Sequence, residues 1–191
     1  MGKYTNLSDN ELIRRVAKYD SRALEELYDR YSPLLYTIIK KIAPDENTAE
    51  SILVEVFTII WRKIDKYDFK ADSPYTWLVT LARNRAVDSL RRTRSAAETN
   101  YYDDEYEDYF ILPMLSREID SLDLETAEKV KPAMEKALAK LTDTQKYVIH
   151  LAYYEGYTIK EIAEKLNIPI ETVRQKIMTA VINLKENLLS N

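Results

Sequence analysis

The sequence contains no cysteine, so disulfides, thiolate metal sites and cysteine nucleophiles are excluded. Only two glycines occur, Gly2 and Gly156. Because strand-rich folds usually use glycine in tight turns, this scarcity favours helices. The most apolar run, residues 52–61, is interrupted by Glu55 and is too short to cross a bilayer. The first residues also lack the apolar stretch of a signal peptide, so we expect a soluble cytoplasmic protein.

Residues that carry chemistry are scarce as well. The single histidine, His150, lies between two apolar residues, and a structural role is predicted for it rather than a catalytic one. No His or carboxylate cluster has metal-ligand spacing, and the carboxylates from Asp103 to Asp108 indicate a calcium site only weakly. Two glycines are too few for a glycine-rich phosphate loop. We therefore expect no catalytic residue, no metal and no cofactor.

The net charge of −4 is distributed unevenly along the chain. Residues 95–130 contain 11 acidic and two basic residues, so this segment carries −9 and the rest of the chain carries +5. Two mildly basic ends leave DNA binding open, which a uniformly acidic chain would disfavour. Residues 101–110 mix aromatic residues and carboxylates without a helical or strand period. We interpret residues 95–130 as a solvated acidic linker.

Capping residues and apolar spacing predict four helices before this linker. A Ser, Thr, Asp or Asn followed three positions later by Glu marks a helix start, and apolar residues three or four apart mark the buried face. Pro33 falls inside the second apolar pattern and should kink that helix or restart it. The predicted helices begin at the capping box of Ser8, at Asp20 or Ser21, at residues 47–50 and near Trp77, with the third ending near Tyr67 and the fourth at Arg94.

After the linker, helical periodicity resumes near Leu122 and ends in the pattern of a helix-turn-helix. Thr142 and Thr158 each begin a capping box, and Gly156 suits the left-handed residue that ends a helix. Asn167 follows a short apolar helix, and asparagine tolerates the left-handed conformation best after glycine. Proline at position 169 can start the next helix, whose predicted buried stripe is Val173, Ile177, Ala180, Val181 and Leu184.

That last helix presents polar residues on its other side, which favours DNA docking over a helical hairpin with a merely hydrated face. Arginine and glutamine can contact guanine and adenine edges through two hydrogen bonds, and lysine and threonine suit phosphates. The outward residues are Glu171, Thr172, Arg174, Gln175, Lys176 and Thr179.

Three segments together form a specific pattern. Residues 141–188, which begin LTDTQKYVIHLAYYEGYT, look like region 4 of RNA polymerase sigma factors, the module that reads the −35 promoter element. Residues 49–68, AESILVEVFTIIWRKIDKYD, and residues 73–92, SPYTWLVTLARNRAVDSLRR, look like region 2. Two such regions joined only by a linker are similar to the extracytoplasmic-function group of the sigma-70 family.

The resemblance implies a sigma factor that binds core polymerase and directs promoter-specific transcription initiation, without being an enzyme. It implies an all-α fold with a region 2 domain at residues 1–94, an acidic linker at 95–130 and a region 4 domain at 131–191. The implied partners are bacterial core RNA polymerase, promoter DNA and an anti-sigma factor. The linker would lead toward the active-site cleft and RNA exit path of polymerase, whose channel suits a polyanion.

The resemblance also implies three sets of site residues. The polymerase-binding set is Glu50, Leu53, Val54, Glu55, Phe57 and Trp61, on a helix with more apolar residues than one buried stripe uses. The −10 set, around a loop that would capture a flipped base, is Tyr67, Asp68, Lys70, Asp72, Ser73, Tyr75, Arg83, Asn84, Asp88, Arg91 and Arg92. The −35 set is Thr158, Glu171, Thr172, Arg174, Gln175, Lys176 and Thr179.

The sequence departs from the family pattern at several positions. Ser51 and Val54 stand where Asp and Gln are common, and Asp72 replaces a frequent glycine. Positions that are often basic in the last helix hold Met178, Thr179 and Val181, so we expect weak autonomous DNA binding with a shallow salt dependence. Two alternatives remain open: a stand-alone helix-turn-helix regulator, and a sigma-like protein that occupies polymerase without initiating.

Overall fold

The computed structural model describes residues 4–64, 67, 73–94 and 124–189, and no strand occurs among them. The predicted all-α fold class is therefore confirmed. The described residues form two compact units, residues 4–90 and residues 91–94 with 124–189. The helices are α1 Asp9–Val16, α2 Ser21–Ile42, α3 Glu46–Lys63, α4 Pro74–Arg94, α5 Leu124–Ala139, α6 Asp143–Tyr153, α7 Ile159–Leu166 and α8 Ile170–Leu189.

The helix starts of the first unit are set by side-chain caps. The Ser8 hydroxyl accepts the Glu11 N–H at 3.3 Å and the Glu11 carboxylate accepts the Ser8 N–H at 2.8 Å, so the predicted capping box is confirmed. Asp20, rather than the serine after it, caps α2. Helix α3 begins earlier than predicted, because the Asp45 carboxylate accepts the Thr48 N–H at 2.8 Å. It also ends earlier than predicted, four residues before position 67.

Pro33 does not restart the second helix. Helix α2 runs unbroken through it, and its buried face continues on both sides with Tyr31, Leu35 and Ile39. A proline removes only one main-chain hydrogen bond, whereas burial of the apolar face stabilises the whole helix. The prediction of a new helix start at this proline was wrong.

A polar cluster ties α1 to α2. The Tyr31 hydroxyl donates to the Asp9 carboxylate at 2.5 Å, and Arg30 Nη1 donates to the same carboxylate at 2.8 Å. Burial of Tyr31 and its hydrogen bond to the Asp9 carboxylate raise the pKa of this phenol above its ordinary value. Helix α2 also packs on α3, so these three helices form a layer around the apolar face of α2.

In the second unit, α8 packs against α5, α6 and α7. The predicted buried stripe of α8 is confirmed, and it faces apolar residues of α6 and α7 such as Leu151 and Ile162. A smaller cluster joins Ala137 and Leu141 to Leu184 near the carboxyl-terminal half of α8. These contacts fix which side of α8 is left for a ligand.

Among the described residues, no helix is both long and apolar enough to cross a membrane. Over those same ranges, no group of three or more acidic or histidine side chains is placed to hold a metal ion. His150 is exposed, and its Nε2 lies 3.3 Å from a Glu155 carboxylate oxygen at the end of α6.

Candidate polymerase and DNA interfaces

The predicted polymerase-binding residues of α3 divide into an exposed and a buried group. Residues on one side of the helix pack into the core, because α2 covers that side. Val54 is 63% exposed although it is apolar. The exposed members of the set are Glu50, Val54 and Glu55; Leu53 and Phe57 are buried, and Trp61 is half-buried. The exposed members of the predicted set are therefore one apolar side chain between two carboxylates.

Two exposed tyrosines adjoin this surface, and sequence reasoning missed both. The ring of Tyr28, on α2, lies 4.8 Å from the ring of Phe57. The ring of Tyr19, in the turn between α1 and α2, lies 5.6 Å from the ring of Trp61. Periodicity along α3 alone could not have found them, since they come from other elements.

Helix α4 buries charged residues that were predicted to contact −10 DNA. Arg83 is 1% exposed and Asp88 is buried as well. Arg85, also buried, donates from Nη1 to Glu55 Oε1 on α3 at 3.1 Å, and the same Nη1 lies 3.9 Å from Asp88 Oδ2. Arg83 Nη1 donates to Asn84 Oδ1 at 3.1 Å. These buried side chains support the position of α4 and offer DNA little surface.

The remaining −10 candidates vary in exposure. Tyr67 is buried against Trp77, with ring centroids 5.1 Å apart, and its hydroxyl reaches Asn10 Oδ1 at 3.5 Å. Ser73 is buried, and burial raises the pKa of the half-buried Tyr75. Asn84 is half-buried, Arg92 is exposed, and Asp68, Lys70 and Asp72 lie outside the described residues.

The helix-turn-helix of the second unit has the predicted local geometry. The Thr158 hydroxyl accepts the Glu161 N–H at 3.2 Å, and the Glu161 carboxylate accepts the Thr158 N–H at 2.6 Å. Asn167 ends α7 in the left-handed conformation, with φ 52° and ψ 48°. Gly156 is also left-handed, with φ 66°. The residue types at these turns therefore set the path of the chain into α8.

Glu161 is held in its charged form. Burial would raise its pKa, but hydrogen bonds from the Thr158 N–H and hydroxyl and the charge of Arg91 together lower the pKa below its ordinary value. Arg91 is part of the second unit, where its Nη2 lies 3.0 Å from Glu161 Oε1 and its Nη1 donates to the Gly156 carbonyl at 2.6 Å. A predicted −10 contact is thus already engaged in an ion pair.

The outward side of α8 carries most of the predicted −35 contacts. The side chains of Arg174 and Glu171 are 55% and 67% exposed, and their closest charged atoms lie 3.3 Å apart. Gln175 and Thr179 are exposed, whereas Thr172 and Lys176 are half-buried. Farther along the helix, Met178 and Ile182 are exposed apolar residues. The face is polar near the start of α8 and mixed beyond it, where Thr179, Lys185 and Glu186 are exposed as well.

Comparison with known proteins matches both units. The Sigma-70 region 2 family matches residues 27–96, and the Sigma-70 region 4 family matches residues 137–186. The chain therefore has the two-region architecture of a sigma factor, with a DNA-binding helix-turn-helix in region 4.

Relatives that align over nearly the full length of the chain identify the group of sigma factors to which it belongs. The chain is 32% identical over 178 residues to ECF RNA polymerase sigma factor SigK of Mycobacterium sp. (strain JLS), covering 93% of this chain and 89% of that one. It is 30% identical over 177 residues to SigK of Mycobacterium tuberculosis (strain ATCC 25618 / H37Rv), covering 93% and 91%. This chain belongs to the ECF RNA polymerase sigma factors, which bind core polymerase and direct promoter-specific initiation.

Among solved structures, the chain aligns with CnrH in complex with the cytosolic domain of CnrY. The alignment covers 96% of this chain and 98% of that one, with 20% identity and a TM-score of 0.42. At this score the alignment supports no conclusion about partners.

Proposed function

We propose that three surfaces divide the work of this sigma factor. The outward face of α8 reads the −35 element, residues of α4 that keep accessible surface contact −10 DNA, and the outer face of α3 binds core polymerase. The observation that carries the proposal is the side of α8 opposite its buried stripe, where Glu171, Arg174, Gln175 and Thr179 remain exposed.

Base recognition by α8 follows from its exposed chemistry. An arginine can donate two hydrogen bonds to guanine, a glutamine can pair with adenine, and a glutamate can accept from cytosine. The contact between Glu171 and Arg174 holds both groups near the amino end of α8, the part of a recognition helix that reaches base edges. Thr172, Lys176 and Thr179 would contact the phosphates beside those bases. Thr158 caps α7, and its N–H and hydroxyl both bond to Glu161, so its proposed part in −35 binding is to set the start of α7.

For the −10 element we propose Tyr75, Asn84 and Arg92 as the contacts, because these described candidates keep accessible surface. Arg83 and Asp88 are buried, so their contribution would be to hold α4 rather than to touch DNA. Asp68, Lys70 and Asp72 remain predicted parts of the base-capturing loop.

For polymerase we propose the patch made by Glu50, Val54 and Glu55. An exposed aliphatic side chain flanked by charges is the composition expected of a small interface center with a polar rim. The predicted contacts of Leu53 and Phe57 would be indirect, since both side chains are buried beneath this patch. Trp61 keeps part of its surface and extends the patch along the helix.

The finer predictions about the whole protein belong to the same proposal. We infer domain limits at residues 1–94, 95–130 and 131–191, with the acidic linker entering the polymerase channel. We also infer that the protein works in the cytoplasm, catalyses no reaction itself and is held inactive by an anti-sigma factor. Family membership supports these inferences.

Run-off transcription with bacterial core RNA polymerase and promoter fragments of the source genome tests the reading surface. Arg174→Ala should reduce specific initiation about tenfold, because one guanine contact is worth on the order of 1–3 kcal/mol. Arg22→Ala, an exposed arginine at the start of α2, is the matched control and should leave initiation unchanged. Equal activity of both variants on every promoter would contradict the role of α8.

Polymerase binding is tested separately with labelled protein and core enzyme in the absence of DNA. Val54→Asp should weaken binding at least tenfold, since it places a charge at the center of an apolar contact. Thr37→Asp adds the same charge on α2, on the side opposite Tyr28, and should have no effect. Unchanged affinity of the Val54 variant would rule out the α3 patch.

A further inference from the structure

Three described residues end a helix in the left-handed conformation. Two are residue types suited to it, Gly156 with φ 66° and Asn167 with φ 52°. The third is Tyr19 with φ 60°, a bulky residue for which this conformation is an energetic outlier. Two of the three left-handed positions therefore hold a residue type that suits this conformation, and the third holds a tyrosine, which does not.

The turn at Tyr19 is a tight helix end. The Tyr19 N–H donates to the Val16 carbonyl at 2.8 Å, and the Asp20 N–H donates to the Arg15 carbonyl at 3.1 Å. A 6→1 hydrogen bond of this kind closes the turn that normally places glycine at the left-handed position. The local backbone therefore gives no reason for a tyrosine.

The side chain of Tyr19 is 72% exposed, so the core gives little reason for it either. Its ring meets Trp61 edge-on, with an interplanar angle of 79°. A strained residue that presents an aromatic ring at the surface is the arrangement from which a functional role is inferred. Tyrosine and tryptophan are the residue types enriched among the anchors of protein interfaces.

Tyr19 is continuous with the α3 patch. Glu50, Val54, Phe57 and Trp61 are spaced by four, three and four residues, so they share one side of α3. Tyr28 packs on Phe57, and Tyr19 packs on Trp61, from the α1–α2 side. The exposed Val54 and Tyr28, the half-buried Trp61 and the exposed Tyr19 thus follow this side of α3 to the α1–α2 turn, and we call these four residues the strip.

We propose, on the basis of the proposed role of α3, that Tyr19 is an anchor for core RNA polymerase. The backbone turn projects its ring beside Trp61 and so lengthens the polymerase-binding surface beyond α3. We expect core polymerase to bind the strip because the strip continues the α3 face proposed to bind polymerase. Tyr19 is the residue of the strip farthest from the middle of α3. The strained turn is then retained for binding at the expense of stability.

Three substitutions separate a binding role from a packing role. Tyr19→Asn and Tyr19→Gly remove the ring but suit the left-handed turn, whereas Tyr19→Phe keeps both ring and strain. Each full-length variant is titrated with core RNA polymerase without DNA, and its thermal unfolding midpoint is measured. The Asn and Gly variants should bind about tenfold more weakly while melting at or above the wild-type midpoint. The Phe variant should bind within about twofold of wild type.

Two results would overturn the proposal. One is wild-type polymerase affinity in the Asn and Gly variants, including the case in which they melt earlier, which would mean that the ring only packs on Trp61. The other is loss of self-association in these variants with polymerase affinity intact, which would assign the strip to a second copy of this chain. If Val54→Asp weakens polymerase binding and Tyr19→Asn does not, only the role of Tyr19 fails. If neither weakens it, the α3 patch fails as well.

Discussion

Helices α4 and α8 carry similar polar residues, but those of α4 are largely buried and those of α8 are largely exposed. In α4, Arg83, Arg85 and Asp88 are buried, and Arg85 bonds to α3. In α8, Glu171 and Arg174 are largely in solvent and pair only with each other among the contacts observed at their charged groups. The buried polar residues of α4 therefore support the fold, while Glu171 and Arg174 of α8 stay accessible at the surface.

The difference comes from how much of each helix is covered. Helix α8 buries one stripe against its neighbours, so the opposite side is exposed, as its apolar period predicts. Helix α4 has buried residues on nearly every side, from Leu78 to Asp88. On such a helix the burial of a polar group depends on having a partner, which the spacing of one helix does not reveal.

The largest effect that tests this comparison is expected at Arg85. Arg85→Ala should lower the free energy of unfolding by about 3 kcal/mol, because it removes a buried guanidinium that donates to Glu55 Oε1 and lies 3.9 Å from the buried Asp88 carboxylate. Urea unfolding followed by circular dichroism measures the change. A loss below about 1 kcal/mol would mean that the α4 charges are no more structural than those of α8.

A smaller effect is expected at the turn before α8. Asn167→Ala should cost about 1–2 kcal/mol, because alanine disfavours the left-handed conformation that this residue adopts. Asn167→Gly fits the same backbone and serves as the matched control, which should retain nearly wild-type stability. Equal unfolding midpoints for the alanine and glycine variants would contradict the strained-turn argument.

At Glu161 we expect a contribution to the free energy of unfolding that is lost only at acidic pH. Its folded pKa lies below the ordinary value of 4.5, so its stabilisation is complete above that pH and is lost as the pH falls through the folded pKa. Glu161→Gln preserves a capping box but does not titrate. The wild-type unfolding free energy should therefore fall more steeply than that of the variant below about pH 4.5. Parallel stability curves between pH 6 and 3 would show that Glu161 makes no pH-dependent contribution.

The smallest effect on stability is expected at Arg174. Its ion pair with Glu171 is exposed, so Arg174→Ala should change the unfolding free energy by less than about 0.5 kcal/mol. The same variant should lose most of its promoter-specific initiation. Thermal unfolding and run-off transcription on one preparation would separate the two, and a large loss of stability would show that α8 is as structural as α4.

Much of the fold follows from the sequence because its signals are local. The capping boxes at Ser8, Thr142 and Thr158 and the left-handed Asn167 involve residues within a few positions of each other. At Pro33 the sequence left a kink and a new helix start open, because burial of the long apolar face, which keeps α2 unbroken, is a tertiary effect.

The candidate sites also differ in whether local sequence signals or tertiary packing determine them. The exposed side of α8 could be predicted from one helical period, whereas the buried state of Arg83 depends on the packing around α4. The ring of Tyr19 on Trp61 was not predictable, since it joins residues 42 positions apart through an unusual backbone turn. The polymerase and DNA roles of all these residues stay predictions until binding is measured.

The packing of α2 on α1 and α3 has a consequence for synthesis of the protein. These three helices are consecutive in the chain, so their contacts can form as soon as Lys63 leaves the ribosome. Helix α8 ends at position 189, well over a hundred residues later. At roughly 5–20 residues per second, the nascent chain spends several seconds or more with α1, α2 and α3 complete and α8 still untranslated.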